Sequence, residues 1–150
     1  MNYKKINDIM IKDYYKDKNV RIGKMGDKYI VVPEGAFFVV VPEKEMICDP
    51  IKIKGDSHWF TMGDLVDDIE SKKYYEAATT TGNAIKTSLD HTAIELRDKK
   101  GLHSRYVDEK LLKLFGKDIK ILIHSDEKYP IAIWDEEEKE LLGAICPIKK

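Results

Sequence analysis

The sequence predicts an α+β fold of two βαβββ units, preceded by an N-terminal helix and a β-hairpin segment. Three observations predict it. Two apolar stripes recur at helical spacing, the segments after each stripe have strand character, and turn residues separate those segments. We place the two units at 57–96 and 102–148 and the N-terminal extension at 1–56.

The second unit has the clearest pattern. A helix is predicted over 107–115, because its apolar residues recur at i, i+4, i+7 and i+8 and Gly116 follows at once as a stop signal. Strands are predicted at 119–123, 131–134 and 141–145, after a short extended segment from residue 102. We expect these residues to be mostly buried: Val107, Leu111, Leu114, Ile119, Ile121, Ile123 and Ile133.

The first unit has the same predicted order. A short extended piece over His58–Phe60 precedes a helix over Met62–Glu70, for which Thr61 is a suitable N-cap. Three strands follow, at 74–80, 84–89 and 92–96. Gly82-Asn83 and Asp90-His91 are the expected turns between them.

Residues 1–56 begin with a predicted helix at Tyr3–Tyr15, and short strands are expected at 20–22, 46–47 and 51–53. Two continuous apolar runs, 29–32 and 37–41, flank Pro33-Glu34-Gly35 and predict a hairpin. Such runs indicate strands covered on both faces, or a surface buried by a partner. The candidate partner-binding residues of the hairpin are Tyr29, Val31, Phe37, Phe38 and Val40.

Composition limits the class of protein. With 150 residues, 43% of them hydrophobic and 35% charged, the chain suits one globular domain, with or without a small appendage. A net charge of −1 argues against a coat protein of nucleic acid, which would be strongly basic. The two cysteines, Cys48 and Cys146, are far apart in the sequence, and a reducing cytoplasm is the expected location.

Four segments of the second unit resemble the DNA sliding clamps. They are Tyr106–Phe115, Ile119–Ile123, Tyr129–Ile133 and Leu141–Pro147, which are similar to a helix and the strands of a bacterial clamp domain. The resemblance implies one DNA-clamp-like domain over 57–150, with both helices on one side. Bacterial clamp subunits carry three such domains, so a ring would need several copies of this chain.

The resemblance also implies that helix lysines face duplex DNA. The candidates lie on or beside the two helices and the hinge between the units, residues 98–101: Lys72, Lys73, Lys99, Lys100, Lys110, Lys113 and Lys117. Acidic residues share the predicted surface: Asp64, Asp67, Asp68, Glu70, Asp108 and Glu109. Since the charges nearly balance, we expect weak or absent binding of duplex DNA.

No motif indicates catalysis, so no catalytic residue, metal site or cofactor is expected. The four histidines, His58, His91, His103 and His124, lack metal-ligand spacing, and a metal site would have to be assembled by the fold. The pair Gly23 and Gly26 lacks the rest of a phosphate-binding loop. Asp64, Asp67 and Asp68 are better explained as a solvated helix face than as paired catalytic carboxylates.

The leading hypothesis is therefore a non-enzymatic clamp-like module of a phage or mobile element. It would act in DNA replication or bind replication proteins, and it would form a homo-oligomer. The scarcity of arginine, present only at 21, 97 and 105, suits a low-GC bacterium or its phages. The alternatives are a structural or interaction protein that docks or self-associates through the hairpin at 29–41, and a small enzyme with a site assembled from the histidines.

Overall fold

The computed structural model describes residues 1–16, 20–33, 37–46 and 59–149, with only the backbone described at residue 14 and at 59–63. In this part of the chain, nine strands form one antiparallel sheet, and helices pack on it. The predicted α+β class is confirmed, with the sheet as its larger part.

The strands are, in chain order, β1 Arg21–Met25, β2 Lys28–Val32, β3 Phe37–Pro42, β4 Tyr75–Lys86, β5 Thr92–Asp98, β6 Ser104–Asp108, β7 Ile119–His124, β8 Ile131–Asp135 and β9 Leu141–Ile145. Their order in the sheet is β1-β2-β3-β9-β8-β7-β4-β5-β6. The N-terminal strands thus continue the sheet of the C-terminal strands, because β3 pairs with β9 from Phe37↔Ile145 to Val39↔Gly143.

Three helices accompany the sheet in the described ranges. Helix α1, Tyr3–Tyr15, has the predicted bounds and begins after Asn2, whose side-chain oxygen accepts the Lys5 backbone N–H at 3.0 Å. Helix α2 spans Trp59–Glu70. Helix α3 is the short segment Glu109–Leu112, which continues into a 3₁₀ turn over Lys113–Phe115.

The helices lie on opposite faces of the sheet. Apolar residues of α1, of α3 and of the 3₁₀ turn join one buried cluster, which includes Ile6, Met10 and Phe115. Residues of α2, Val66 and Ile69, join a second cluster formed by the other side chains of the same strands. The clamp resemblance implies both helices of the two units on one side, and this arrangement differs from it.

The β2–β3 hairpin is covered on both faces, as its continuous apolar runs predicted. Along β3, Phe37, Val39 and Val41 belong to the cluster under α1, whereas Phe38 and Val40 belong to the cluster under α2. Since alternate side chains of a strand point to opposite faces, both faces of this hairpin are core.

The first predicted unit needs two corrections. Trp59 and Phe60 are helical rather than extended, because the apolar spacing of α2 continues one turn before Met62. The two strands predicted at 74–80 and 84–89 are one strand, β4, and Gly82-Asn83 forms an irregularity within it rather than a turn. The third predicted strand of this unit corresponds to β5.

The elements from 104 to 145 follow the predicted order of strand, helix and three strands, with a shorter helix. Val107 lies in β6, and the Asp108 side chain caps α3 by accepting the Lys110 N–H at 2.8 Å. Consequently Leu112 is buried and Leu111 is only partly buried. Val107, Leu114, Ile123 and Ile133 are buried as expected, while Ile119 and Ile121 are partly buried.

The sheet curls so that its β6 edge meets the chain beyond β9. Ile148 pairs with Tyr106 of β6, and its N–H donates to the Tyr106 carbonyl at 2.8 Å. The strands predicted at 46–47 and 51–53 lie outside the described residues, apart from Met46, which is not in a strand.

Candidate functional site: a lysine-rimmed cleft between β4 and β7

A cleft opens where β4 and β7 separate. The two strands pair from Tyr75↔His124 to Ala78↔Ile121, and their pairing ends there. Beyond Ala78, β4 continues for eight residues alongside β5, while Ile119 and Lys120 of β7 pair with β8. The 3₁₀ turn after α3 and Gly116 close one end of the opening.

The floor of the cleft is apolar and its rim is basic. Four partly or fully buried side chains form the floor: Ile94, Leu112, Ile119 and Ile121. The charged residues of the rim are four lysines and one glutamate: Lys99, Lys113, Lys117, Lys120 and Glu109. The cleft therefore combines an apolar surface with an excess of positive charge.

Two of the rim lysines already have acidic partners. Lys113 Nζ lies 2.9 Å from Glu109 Oε1, and Lys120 Nζ lies 2.8 Å from Glu138 Oε1. Hydrogen bonds from Lys120 and from Lys72 hold the pKa of Glu138 below its usual range. Lys99 and Lys117 form no ion pair with any side chain that the structure describes, so they hold the cleft's uncompensated charge.

The β4 edge beside the cleft is shaped by Glu95 of β5. This buried carboxylate accepts hydrogen bonds from Asn83 Nδ2 at 2.7 Å and from Thr81 Oγ1 at 2.8 Å, and from Arg97 at 3.1 Å. These bonds lower the pKa of Glu95 to about 2, with the bond from Asn83 as the largest cause. Glu95 thus fixes the irregularity at Thr80–Ala84 from the β5 side.

Backbone alternation shows which polar groups of β4 face the cleft. The Lys99 N–H donates to the Ala77 carbonyl, so the backbone groups of Ala77 point toward β5. In an antiparallel strand, successive residues direct these groups to opposite sides. Ala78 therefore bonds to β7, Thr79 faces β5, and the N–H and C=O of Thr80 point into the cleft where β7 has departed.

The structure brings only three of the predicted DNA-facing lysines to the cleft: Lys99, Lys113 and Lys117. Lys72 lies on the α2 face, where it bonds Glu138 at 3.3 Å and stands 4.3 Å from the Trp134 ring centroid. Lys73 lies over Tyr74, Lys100 binds Glu76, and Lys110 belongs to the first turn of α3. The seven lysines do not form one continuous surface.

Sequence reasoning missed Lys120 as a member of the site. Lys120 alternates with Ile119 and Ile121, so the local spacing directs it away from the apolar floor and gave no signal for the site. The position of the cleft depends on where the pairing of β4 with β7 ends, and no local pattern encodes that point.

The hairpin prediction for partner binding is incorrect for four of its five residues. Val31, Phe37, Phe38 and Val40 are buried in the chain's own core, and Tyr29 is partly buried against it. Residues of helices α1 and α2 contribute to the two apolar clusters that bury the faces of the hairpin.

The three histidines that the structure describes are separate from one another. His91 Nδ1 lies 2.6 Å from Asp108 Oδ2, and His103 Nδ1 lies 2.9 Å from Asp98 Oδ2, with each pair at a different end of the β5–β6 hairpin. His124 is buried and stacks on Tyr129 at 4.0 Å between ring centroids. His58 lies outside the described residues. Within the described ranges, no three His, Cys, Asp or Glu residues are grouped to hold a metal ion.

The remaining candidates have structural positions. Gly23 lies within β1, and Gly26, with φ +63°, forms the β1–β2 turn, so the Gly23-x-x-Gly26 segment is a hairpin. Asp64, Asp67 and Asp68 are exposed on α2. Glu138 follows the β8 strand and joins the ion pairs with Lys72 and Lys120.

Comparisons with known proteins do not assign the chain to a family. No protein-family model, curated protein or solved structure matches it. Among the helices of the described chain, none has the length and apolar character needed to cross a membrane.

Proposed function

We propose that the chain is a non-enzymatic module that acts in DNA replication by binding a replication protein through the β4–β7 cleft. We further propose that it belongs to a phage or other mobile element and is related to the sliding clamps. The order of elements from β6 to β9 and the sequence of 102–148 support that relationship.

The observation that carries the proposal is the cleft itself. It combines partly exposed apolar side chains with lysines that the fold leaves uncompensated. Lone exposed apolar residues are ordinary on protein surfaces, but an apolar floor rimmed by polar groups is typical of a binding groove.

The distribution of lysines favours a protein partner over duplex DNA. Duplex binding depends on many lysines that reach phosphates from one surface. Here Lys72 and Lys120 share Glu138, Lys100 pairs with Glu76, and Lys113 pairs with Glu109. The lysines that remain do not lie on one surface, which supports indirect action through a protein.

A DNA-synthesis assay with the replication proteins of the encoding phage or cell tests the proposal. Adding the chain should change the length of the products on a primed single-stranded template. The double variant Lys99→Glu/Lys117→Glu should lose this effect while keeping its fold.

The matched control is Lys16→Glu/Lys44→Glu, which reverses two exposed lysines outside the cleft. The control should behave as the unmodified chain does. An unchanged product length with the unmodified chain, or equal loss of the effect in both double variants, would contradict the proposed function.

A further inference from the structure

We propose that the cleft takes an extended acidic segment of the partner, which adds to the free edge of β4 as an extra strand. This inference rests on the proposed function and specifies the chemistry and geometry of the partner. Acidic side chains of the segment would meet the lysine rim, and its apolar side chains would lie on the cleft floor.

In the described chain, the edge of β4 beside the cleft is free. Among the residues that the structure describes, the paired residues of β4 beyond Ala78, which are Thr79, Thr80 and 84–86, pair with β5 alone. Residues 79–84 are all exposed, so an approaching chain meets no covering side chain there. Exposed edges accept additional strands readily, and native proteins usually cover or shorten them.

Thr80 offers unpaired backbone groups at this edge. Its N–H and C=O point into the cleft, as the alternation from Ala77 requires. A peptide in extended conformation offers one acceptor and one donor at this spacing. Such strand addition draws affinity from main-chain hydrogen bonds and specificity from alternate side chains.

The cleft presents both apolar and basic side chains beside this edge. Ile94, Ile119 and Ile121 offer an apolar surface on the α3 side of the sheet. Lys99 and Lys117 supply positive charge without a described acidic partner. A segment that carries both acidic and apolar residues matches both features.

Two other occupants fit less well. Single-stranded nucleic acid would satisfy the lysines, but its backbone has no N–H donors for the Thr80 carbonyl, and the floor offers no aromatic ring for base stacking. A second copy that paired through β4 would bring Lys86 and Lys99 of both copies to one interface, where like charges repel.

Fluorescence anisotropy with a labelled peptide of about ten residues, alternating leucine with glutamate, tests the inference. We expect the peptide to bind, and its affinity to fall about tenfold in Lys99→Glu/Lys117→Glu. The same peptide with lysine in place of glutamate should not bind. Lys16→Glu/Lys44→Glu should leave the affinity of the acidic peptide unchanged.

A backbone variant gives a second test of the geometry. Thr80→Pro removes the N–H that faces the cleft and leaves the hydrogen bonds to β5 in place, so peptide affinity should fall although thermal unfolding remains cooperative. If this variant fails to fold, the lysine variants still decide whether the cleft binds the acidic peptide.

Three results would overturn the inference. Acidic and basic peptides could bind alike, the lysine reversals could leave peptide affinity unchanged, or an oligothymidine or a second copy could occupy the cleft in place of the peptide. Failure of peptide binding with a positive DNA-synthesis assay would reject this recognition mode alone. A negative assay with intact peptide binding would reject the replication role alone.

Discussion

Ala78 of β4 and Ile121 of β7 are the last pair of residues in the ladder between these two strands. Beyond them the strands diverge within a single sheet, and the gap becomes a cleft. The relationship matters because it leaves the edge of a central strand open. Edges are normally found only at the borders of a sheet.

The packing of the short helix α3 predicts different effects for neighbouring leucines. Leu114 is 2% exposed, whereas Leu111 is only partly buried. Leu114→Ala should lower the free energy of unfolding by about 2–5 kcal/mol, because it leaves a cavity in the core. Leu111→Ala should lower the free energy of unfolding by clearly less than Leu114→Ala does. Urea unfolding measures both, and equal losses would show that the assigned helix register is wrong.

Glu95 predicts a specific loss of stability in acid. Its pKa in the folded chain is about 2, below the ordinary value of 4.5, because Asn83, Thr81 and Arg97 bond the charged form. A lowered carboxyl pKa contributes stability that is complete above the ordinary value and is lost as the pH falls toward the folded value.

The test compares Glu95→Gln with the unmodified chain by urea unfolding between about pH 6 and pH 2. The variant should be less stable at pH 6, and the difference should shrink as the pH falls. Glu127→Gln, at an exposed position, is the control and should show no such convergence. A difference that stays constant with pH would contradict the assignment of the shift to Glu95.

Duplex DNA should bind weakly and without sequence preference. We expect a dissociation constant no tighter than about 10⁻⁴ M at physiological salt, since the predicted DNA-facing lysines do not form one continuous surface and two of them, Lys100 and Lys113, have acidic partners. Titration of a short duplex at about 50 and about 200 mM salt measures this. Micromolar binding that weakens steeply with salt and disappears in Lys110→Glu/Lys113→Glu would support direct DNA binding instead.

Self-association is predicted through the open edge of β1. In the described sheet β1 pairs with β2 alone, while the opposite border, β6, is partly covered by Ile148. Exposed edges pair with neighbouring chains. Sedimentation over a range of concentrations should reveal at least a dimer. A constant monomer mass as the protein is concentrated would rule out this prediction.

Local patterns predicted the elements well where one signal dominated. The bounds of α1 follow from its apolar spacing, and the burial of the β2–β3 hairpin follows from its continuous apolar runs. Gly116, with φ +89°, ends the 3₁₀ turn after α3 as its position predicted.

Predictions failed where a long-range contact decided the structure. Gly82-Asn83 has the composition of a turn, but Glu95 of β5 bonds Asn83 and Thr81 and keeps the chain within one strand. Asp108 caps α3 and shortens the helix, which moves Val107 into β6. The apolar hairpin residues were candidates for partner binding because the positions of α1 and α2 over them cannot be derived from local spacing.

Hydrogen exchange at the amide of Thr80 shows directly whether the β4 edge is open and whether a partner pairs with it. In the free protein the amides of Ala78 and Thr79, bonded to β7 and β5, should exchange slowly, and that of Thr80 should exchange fast. The acidic peptide or the replication partner should slow exchange at Thr80 and leave Thr79 unchanged. A Thr80 amide already as protected as that of Ala78, or one unaffected by a bound partner, would exclude strand addition at the β4 edge.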